Sequence, residues 1–124
     1  MYDLTVIIFT LDEESNIGKI IPDVNRILHE NAINGKILVV DDNSTDKTIE
    51  IVNDLKQTYK NLDILIRAFD HGLSYSVVDG FSNADSDIFI VMDADFSHPP
   101  AIIPDKFNGI VAGNDSSESR GFII

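Results

Sequence analysis

Four short apolar runs alternate with amphipathic stretches along this chain, and this alternation constrains the fold more than any other feature of the sequence. The runs, rich in Val, Ile and Leu, cover residues 4–9, 37–40, 62–66 and 88–92. Continuous apolar runs of this length are typical of strands that are buried on both faces. Apolar residues at helical spacing predict helices across residues 17–28, 51–59, 74–84 and 102–110. The resulting β-α-β-α-β-α-β-α order predicts an α/β fold of three layers, with a mostly parallel sheet between two layers of helices.

The chain is long enough for one globular domain, with 124 residues of which 44% are hydrophobic. We assign that domain to residues 1–112 and expect residues 113–124, which show no periodicity, to form a loose C-terminal tail. The lack of cysteine excludes disulfides and thiolate metal sites. No apolar run approaches the ~20 residues of a membrane span, and the first residues lack the pattern of a secretion signal. We therefore expect a cytoplasmic protein, which could work as a peripheral protein at the cytoplasmic face of a membrane.

The net charge of −12, from 21 acidic residues against 9 lysines and arginines, restricts the partners of the chain. Binding to nucleic acid needs clustered basic residues, and binding to an anionic lipid surface needs the same, so neither is expected. Two interpretations of the acidity remain open. It either serves solubility alone, or some of the acids converge on a cation that in turn binds a polyphosphate.

The candidate carboxylates follow the first, second and fourth predicted strands, near the points where these strands end. They belong to Glu13 after the first strand, Asp41 and Asp42 after the second, and Asp93 and Asp95 after the fourth. Parallel strands bring their carboxyl ends to one edge of the sheet, where ligands bind in folds of this class. Like charges facing one crevice repel each other unless a cation or a donor-rich ligand lies between them. Asp93 and Asp95, separated by one small residue, are the best candidate ligands of a metal, and Mg²⁺ or Mn²⁺ prefers such oxygen atoms.

Each of these acids also has a structural interpretation. Asp93 and Asp95 could form a solvated acidic turn before a helix that starts at two prolines. Asp42 could accept a hydrogen bond from a base or a ribose hydroxyl, or it could only favour the positive N-terminus of the next helix. Glu13 has the same two interpretations, and either Asp12 or Ser15 is a candidate cap of the first helix.

Motifs of several other functional classes are missing from the sequence. It has neither the glycine-rich fingerprint of dinucleotide binding nor the P-loop pattern, and it has no G-x-S-x-G. A receiver domain also places Asp residues around Mg²⁺, but its acid pair follows the first strand and a single Asp follows the third. Here the pair follows the second strand, and the third is followed by Arg67.

Four sequence segments carry a resemblance to a known family. They are VIIFTLDE at residues 6–13, VVDDNSTD at 39–46, GLS at 72–74 with VDGF at 78–81, and VMDADFSHPP at 91–100. In this order and spacing they resemble the motifs of family-2 glycosyltransferases with the A-type nucleotide-sugar fold, above all the dolichol-phosphate mannose synthase-like branch. The resemblance covers about residues 3–111. It implies a Rossmann-like sheet that forms the nucleotide-diphospho-sugar half of such a transferase.

The resemblance also implies two groups of site residues. Those expected at the base and ribose of a nucleotide are Phe9, Leu11, Glu13, Val40 and Asp42. Those expected at the diphosphate are Asp93, Ala94, Asp95 and Ser97. Asp93 and Asp95 would hold Mg²⁺ or Mn²⁺ and would be the catalytic residues. Leu11 stands where the family usually has Tyr, which removes a stacking surface for the base.

The implied activity is metal-dependent transfer of a hexose, mannose or glucose, from a GDP- or UDP-linked sugar to an acceptor. The expected acceptors are a lipid phosphate, such as polyprenyl or dolichyl phosphate, and a glycan. The alternative is a truncated, non-catalytic module that binds a nucleotide diphosphate and metal and needs a partner. Self-association into a homo-oligomer is a further expectation, because it would cover exposed surface.

Overall fold

A sheet in which every strand runs parallel to its neighbours forms the centre of the computed structural model, which describes residues 2–67, 86 and 88–112, and the backbone of residues 120–123. The strands of this part are β1 (Leu4–Thr10), β2 (Gly35–Asp41), β3 (Leu62–Ile66), β4 (Ile88–Asp93) and β5 (Arg120–Ile123). Its helices are α1 (Ile17–Glu30), α2 (Thr48–Leu55) and α3 (Ile103–Ala112), and a 3-10 turn over Pro100–Ile102 precedes α3. The helix predicted across residues 74–84 lies outside the described residues.

The strand order is β3-β2-β1-β4-β5. Parallel pairing between all of these neighbours confirms the predicted α/β class and the parallel sheet. The order reverses at β1, because the chain extends the sheet through β2 and β3 on one side and then adds β4 on the other. Such a reversal opens a crevice at the carboxyl ends of the two central strands. In register, Phe9 near the end of β1 lies between Val40 of β2 and Asp93 of β4.

The main core lies between one face of the sheet and the three described helices. Alternate residues of β1, among them Val6 and Ile8, point to this face and are fully buried. The buried side of α1 consists of Ile17, Ile20, Ile21, Val24, Ile27 and Leu28. Each such side chain contributes about 1.5–3 kcal/mol when it is buried, so this contact fixes α1, and with it the loop that leads from β1. None of the described helices has the length and apolar character to span a membrane.

The opposite face of the sheet carries a second, smaller set of buried apolar side chains. It consists of Ile7, Leu38, Val40, Phe89 and Val91. All three described helices contribute to the first core, and none of their residues belongs to this second cluster. The expected second layer of helices therefore stays a prediction.

The backbone of β5 corrects the expectation of a loose tail for part of residues 113–124. Residues Arg120–Ile123 form a strand that pairs in parallel with β4, from Ile88 opposite Arg120 to Val91 opposite Ile123. The free edge of β4 offers unpaired N–H and C=O groups, and a short apolar segment can satisfy them by adding a strand. Residues 113–119 lie outside the described part, and the domain boundary at residue 112 stays a prediction.

Candidate active site

A cavity of about 330 Å³ opens at the carboxyl edge of the sheet, where the strand order reverses. Its lining residues are Phe9, Thr10, Leu11, Glu13, Asp42, Asp93 and Asp95. Six of the nine predicted site residues therefore lie around one cavity, although they come from three different strand ends. Thr10 is the lining residue that the sequence did not single out.

The other three predicted site residues lie outside the lining. The side chains of Val40 and Ala94 are buried in the two apolar cores, each with 1% of its surface exposed. Ser97 is exposed and lies beside Asp95, to which it donates hydrogen bonds. Val40 and Ala94 can therefore meet a ligand in the cavity only through their backbone.

The end of β4 and the segment after it present two carboxylates at the cavity. Asp93 and Asp95 are exposed and line the cavity, while Ala94 between them is buried. The chain turns sharply directly after Asp95, because Phe96 has a φ of 62°, a left-handed conformation that bulky residues rarely adopt. This turn lets the backbone N–H of Ser97 donate to Oδ1 of Asp95 at 2.9 Å, and the Ser97 hydroxyl donates to the same oxygen.

These hydrogen bonds favour the ionised form of Asp95. The two bonds from Ser97 lower the pKa of the Asp95 carboxyl below its ordinary value, and the nearby charge of His98 lowers it further. An ionised carboxylate is the ligand that a hard divalent cation requires. Among the described residues, no three carboxylate or imidazole groups come together as a metal site. At the cavity, Asp93 and Asp95 present two exposed carboxylates.

Asp41 and Asp42 are neighbours in sequence but have different roles, because successive strand residues point to opposite sides. Asp41 is fully buried. Its Oδ1 accepts hydrogen bonds from the hydroxyls of Thr10 at 2.5 Å and Ser44 at 2.6 Å, and its Oδ2 accepts one from the Ser44 amide at 2.7 Å. Asp41 is therefore a structural residue that ties the ends of β1 and β2 to the loop after β2.

Asp42 faces the cavity and is paired with Arg67. Oδ1 of Asp42 lies 3.2 Å from Nη1 of Arg67, and the two side chains are only 17% and 7% exposed. The Arg67 backbone N–H also donates to the Asp41 carbonyl at 2.7 Å, which fixes the residue after β3 against β2. Such a buried pair costs desolvation, and breaking it by removing one partner costs more. Asp42 is held in place by this pair.

Hydrogen bonds join the loop after β1 to the loop after β2, and this connection was not predicted from the sequence. The Asp12 amide donates to the Ser44 hydroxyl at 2.9 Å, while the Thr45 amide donates to Oδ1 of Asp12 at 2.8 Å. Two further amides of the first loop, those of Glu13 and Glu14, donate to Thr48 at 2.8 Å and to Asp46 at 3.1 Å. The two loops therefore form one connected rim beside the cavity.

Asp46 is an ionised acceptor within this rim. Burial raises the pKa of the Asp46 carboxyl, but hydrogen bonds from the Thr48 side chain and backbone and from the Glu14 amide outweigh that effect and lower it. Its Oδ1 accepts from the amide of Thr48, the first residue of α2, at 2.8 Å. One carboxylate thus contacts both the start of α2 and the neighbouring loop.

The sequence matches a known family over most of its length. A family model described as glycosyl transferase family 2 matches residues 5–116. The chain belongs to this family. The predicted membership is thereby confirmed, and the cavity lies within the matched segment.

Relatives within glycosyl transferase family 2 include two proteins named dolichol-phosphate mannosyltransferase. The one from Pyrococcus furiosus is 38% identical over 112 residues, which cover 90% of this chain and 31% of the relative. The one from Mycosarcoma maydis is 44% identical over 71 residues, which cover 57% of this chain and 24% of the relative. The chain therefore spans about a third or less of the length of these relatives.

Solved glycosyltransferase structures have the same fold. Mannosyltransferase PcManGT from Pyrobaculum calidifontis, solved in complex with GDP-Man and Mn²⁺, matches with a TM-score of 0.66 at 22% identity, over 77% of this chain and 30% of that one. S. aureus TarS, solved in complex with UDP-GlcNAc, matches with a TM-score of 0.67 at 21% identity, over 89% of this chain and 31% of that one. Likeness at this identity concerns the fold alone, and it confirms the predicted nucleotide-sugar transferase fold of this family-2 member.

Proposed function

We propose that this chain forms the nucleotide-sugar half of a metal-dependent transferase that moves a hexose, such as mannose, from a nucleotide diphosphate to a lipid phosphate. The observation that carries the proposal is the meeting of Asp42, Asp93 and Asp95 around one cavity at the reversal of strand order. The names of the relatives support mannose and dolichyl phosphate. The bound GDP-Man and Mn²⁺ of PcManGT support the donor and cation classes.

Asp93 and Asp95 would hold the divalent cation, Mg²⁺ or Mn²⁺. When bound, the cation neutralises the charge that develops on a departing nucleotide diphosphate. Ser97 fixes Oδ1 of Asp95 and orients the carboxylate. The buried side chain of Ala94 keeps the segment between the two acids against the core, so that both stay at the cavity.

The nucleoside would lie between the loop after β1 and Asp42. Glu13 and Asp42 both line the cavity and can accept hydrogen bonds from ribose hydroxyls or from a base N–H. Phe9 and Leu11 add apolar surface on the same side, and Leu11 is 56% exposed. A flat base covering such an exposed side chain would gain the free energy of apolar burial.

The acceptor determines whether this chain needs a general base. A lipid phosphate is already ionised at neutral pH and can attack without losing a proton, whereas a glycan hydroxyl needs a base. No residue of the described cavity has contacts that single it out as that base. The names of the relatives favour a phosphate acceptor, and the reaction would take place at a membrane surface that presents the lipid.

Calorimetry with GDP and UDP, each with and without Mn²⁺, tests the binding half of the proposal. We expect the cation to strengthen nucleotide binding at least tenfold, and Asp95→Asn to abolish that gain, because the variant loses the charge that holds the cation. Glu30→Gln is the matched control, since Glu30 is an exposed acid of α1 that pairs with Arg26 away from the cavity. Binding that does not depend on the cation, or equal binding by Asp95→Asn, would contradict the proposal.

Transfer of a radiolabelled hexose to a polyprenyl phosphate tests the catalytic half. Turnover that disappears in Asp95→Asn and persists in Glu30→Gln is the expected result. Cation-dependent nucleotide binding without turnover would support the other candidate, a module that binds the donor and needs a partner for transfer. The coverage of about a third of the P. furiosus relative makes that outcome worth measuring.

A further inference from the structure

We propose that Asp12 is a positioning residue for nucleotide binding, because it fastens the loop after β2 to the loop after β1 and so fixes Glu13 and Asp42 at the cavity. The inference rests on the proposed function for the identity of the ligand. Asp12 itself does not belong to the lining of the cavity, whereas Glu13 and Asp42 do. Its effect on a nucleotide would therefore pass through these two neighbours.

The carboxylate of Asp12 reaches across to the second loop through one oxygen atom. Oδ1 accepts hydrogen bonds from the amides of Thr45 at 2.8 Å and Asp46 at 3.3 Å, and lies 3.4 Å from the Thr45 hydroxyl. Bonds from two successive amides to one carboxylate oxygen fix the direction of that loop as well as its distance. The contact joins residues 33 and 34 positions apart in sequence, so it is a tertiary contact and not a local cap.

The backbone of Asp12 makes the return contact. Its φ of 54° places the residue in the left-handed region and turns the chain at the end of β1. In this conformation the Asp12 amide donates to the Ser44 hydroxyl at 2.9 Å, and that hydroxyl donates to the buried carboxylate of Asp41 at 2.6 Å. A continuous series of hydrogen bonds therefore connects Asp12 with the residue that precedes Asp42.

Glu13 is positioned by Asp12, its neighbour in sequence, and by a contact of its own with the second loop. It follows Asp12 directly, and its amide donates to the hydroxyl of Thr48 at 2.8 Å. If the two loops were free to separate, a nucleotide would have to order both of them on binding, and that ordering lowers affinity. Asp12 removes part of this cost before the ligand arrives.

Binding of Mn²⁺ alone serves as an internal control for loss of folded protein. Asp93 and Asp95 are carried by β4 and the segment after it, and the bonds of Asp95 described above come from Ser97. A loss of the Asp12 contacts should therefore leave binding of Mn²⁺ alone unchanged while it weakens nucleotide binding. A general loss of folded protein would reduce both.

The test compares Asp12→Gly with Asp12→Asn in the full chain. Gly removes the carboxylate and still accepts a positive φ, so the backbone turn is kept without strain. Asn also tolerates this conformation and retains a side-chain oxygen that can accept from both amides. Glu30→Gln again serves as the control for loss of an exposed acid. For each variant, calorimetry measures the affinity for Mn²⁺ alone and for GDP and UDP with Mn²⁺, and circular dichroism follows thermal unfolding.

We expect Asp12→Gly to weaken nucleotide binding about tenfold, and Asp12→Asn to stay within about threefold of the unmodified chain. In a transfer assay the loss should fall on KM for the donor and not on kcat. Equal nucleotide affinity in Asp12→Gly and the unmodified chain overturns this inference alone, as does a parallel loss of Mn²⁺ affinity. An Asn variant as weak as the Gly variant also overturns it, since the acceptor oxygen would then not be what matters. An unmodified chain that binds neither nucleotide overturns the proposed function together with the inference.

Discussion

The two sides of the cavity are built differently. One side consists of the paired loops, residues 11–16 after β1 and residues 42–48 after β2, the second of which includes the first residue of α2. The other side is the β4 loop, residues 94–99. Five hydrogen bonds between backbone amides and side chains cross from one paired loop to the other. Within the part of the chain that the structure describes, the side-chain hydrogen bonds of the β4 loop join only Asp95 and Ser97.

This difference indicates that one side of the site is preformed and that its ligand completes the other. In the paired loops the carboxylates already have partners, as Asp12 accepts from backbone amides and Asp42 pairs with Arg67. Asp93 and Asp95 are instead exposed carboxylates that line the cavity together. A divalent cation bound between them would favour both charged forms and would add contacts to the β4 loop.

The largest expected effect on stability is at Asp41, which anchors the paired loops. Asp41→Ala would leave the buried hydroxyls of Thr10 and Ser44 and the Ser44 amide without their acceptor. We expect the free energy of unfolding, measured by urea denaturation, to fall by about 3 kcal/mol. Asp93→Ala, at the end of β4, should change it by less than about 0.5 kcal/mol, because its side chain is exposed.

Similar losses of unfolding free energy in Asp41→Ala and Asp93→Ala would contradict the proposed difference between the two sides of the cavity. A small loss of stability in Asp41→Ala would show that water or other groups replace the contacts of Asp41. The paired loops would then not depend on this residue. A large loss at Asp93 would show that the β4 loop contributes to the stability of the free chain. Either result would remove the basis for a preformed side.

A smaller effect is expected at the pair between Asp42 and Arg67. Arg67→Met should lower the free energy of unfolding by about 2 kcal/mol, because it leaves the mostly buried Asp42 carboxylate without its cationic partner. Adding Asp42→Asn should recover part of that loss, since the buried charge is then gone. Denaturation of both single variants and the double variant gives the coupling energy. Additive losses would mean that Arg67 does not hold Asp42, and the carboxylate would then have to be positioned by its ligand.

The carboxylates at the cavity could be predicted because they depend on two simple regularities. Strands alternate their side chains, and parallel strands bring their carboxyl ends to one edge, so Asp93 and Asp95 flank a buried Ala94 at the same edge as Asp42. The predicted contacts of Val40 and Ala94 with a ligand stay predictions. Their buried side chains show why residue type alone could not decide them, since any such contact would be through the backbone.

Asp12 shows where sequence reasoning fails for a physical reason. The position of Asp12 between a strand and a helix suggests a local helix cap, because a cap needs only residues that are close in sequence. In the structure α1 starts at Ile17 after Asn16, and the Asp12 carboxylate accepts instead from amides of the loop after β2. Only the packing of β1 against β2 brings these loops together. The same holds for Asp41, since the sequence does not show which of two adjacent acids faces the core.

The smallest expected effect concerns pH and the contact of Ser97 with Asp95 in the β4 loop. Hydrogen bonds from Ser97 lower the pKa of Asp95, so the carboxylate stays ionised to a lower pH than an ordinary Asp. Cation-dependent nucleotide binding needs the ionised form, is present above this pKa and is lost as the pH falls through it. Ser97→Ala removes the hydroxyl contact and should raise the pKa toward its ordinary value. The variant should then lose binding at a higher pH than the unmodified chain, while near pH 7 both bind about equally.

Calorimetry with Mn²⁺ and nucleotide between about pH 2 and pH 7 follows this loss, with circular dichroism at each pH to confirm that the chain stays folded. Asp12→Asn is a useful comparison, because its contacts belong to the paired loops and should leave the midpoint unchanged. Coincident profiles for Ser97→Ala and the unmodified chain would show that Ser97 does not control the ionisation of Asp95. The β4 loop would then depend on its cation alone, which would make the contrast with the paired loops greater.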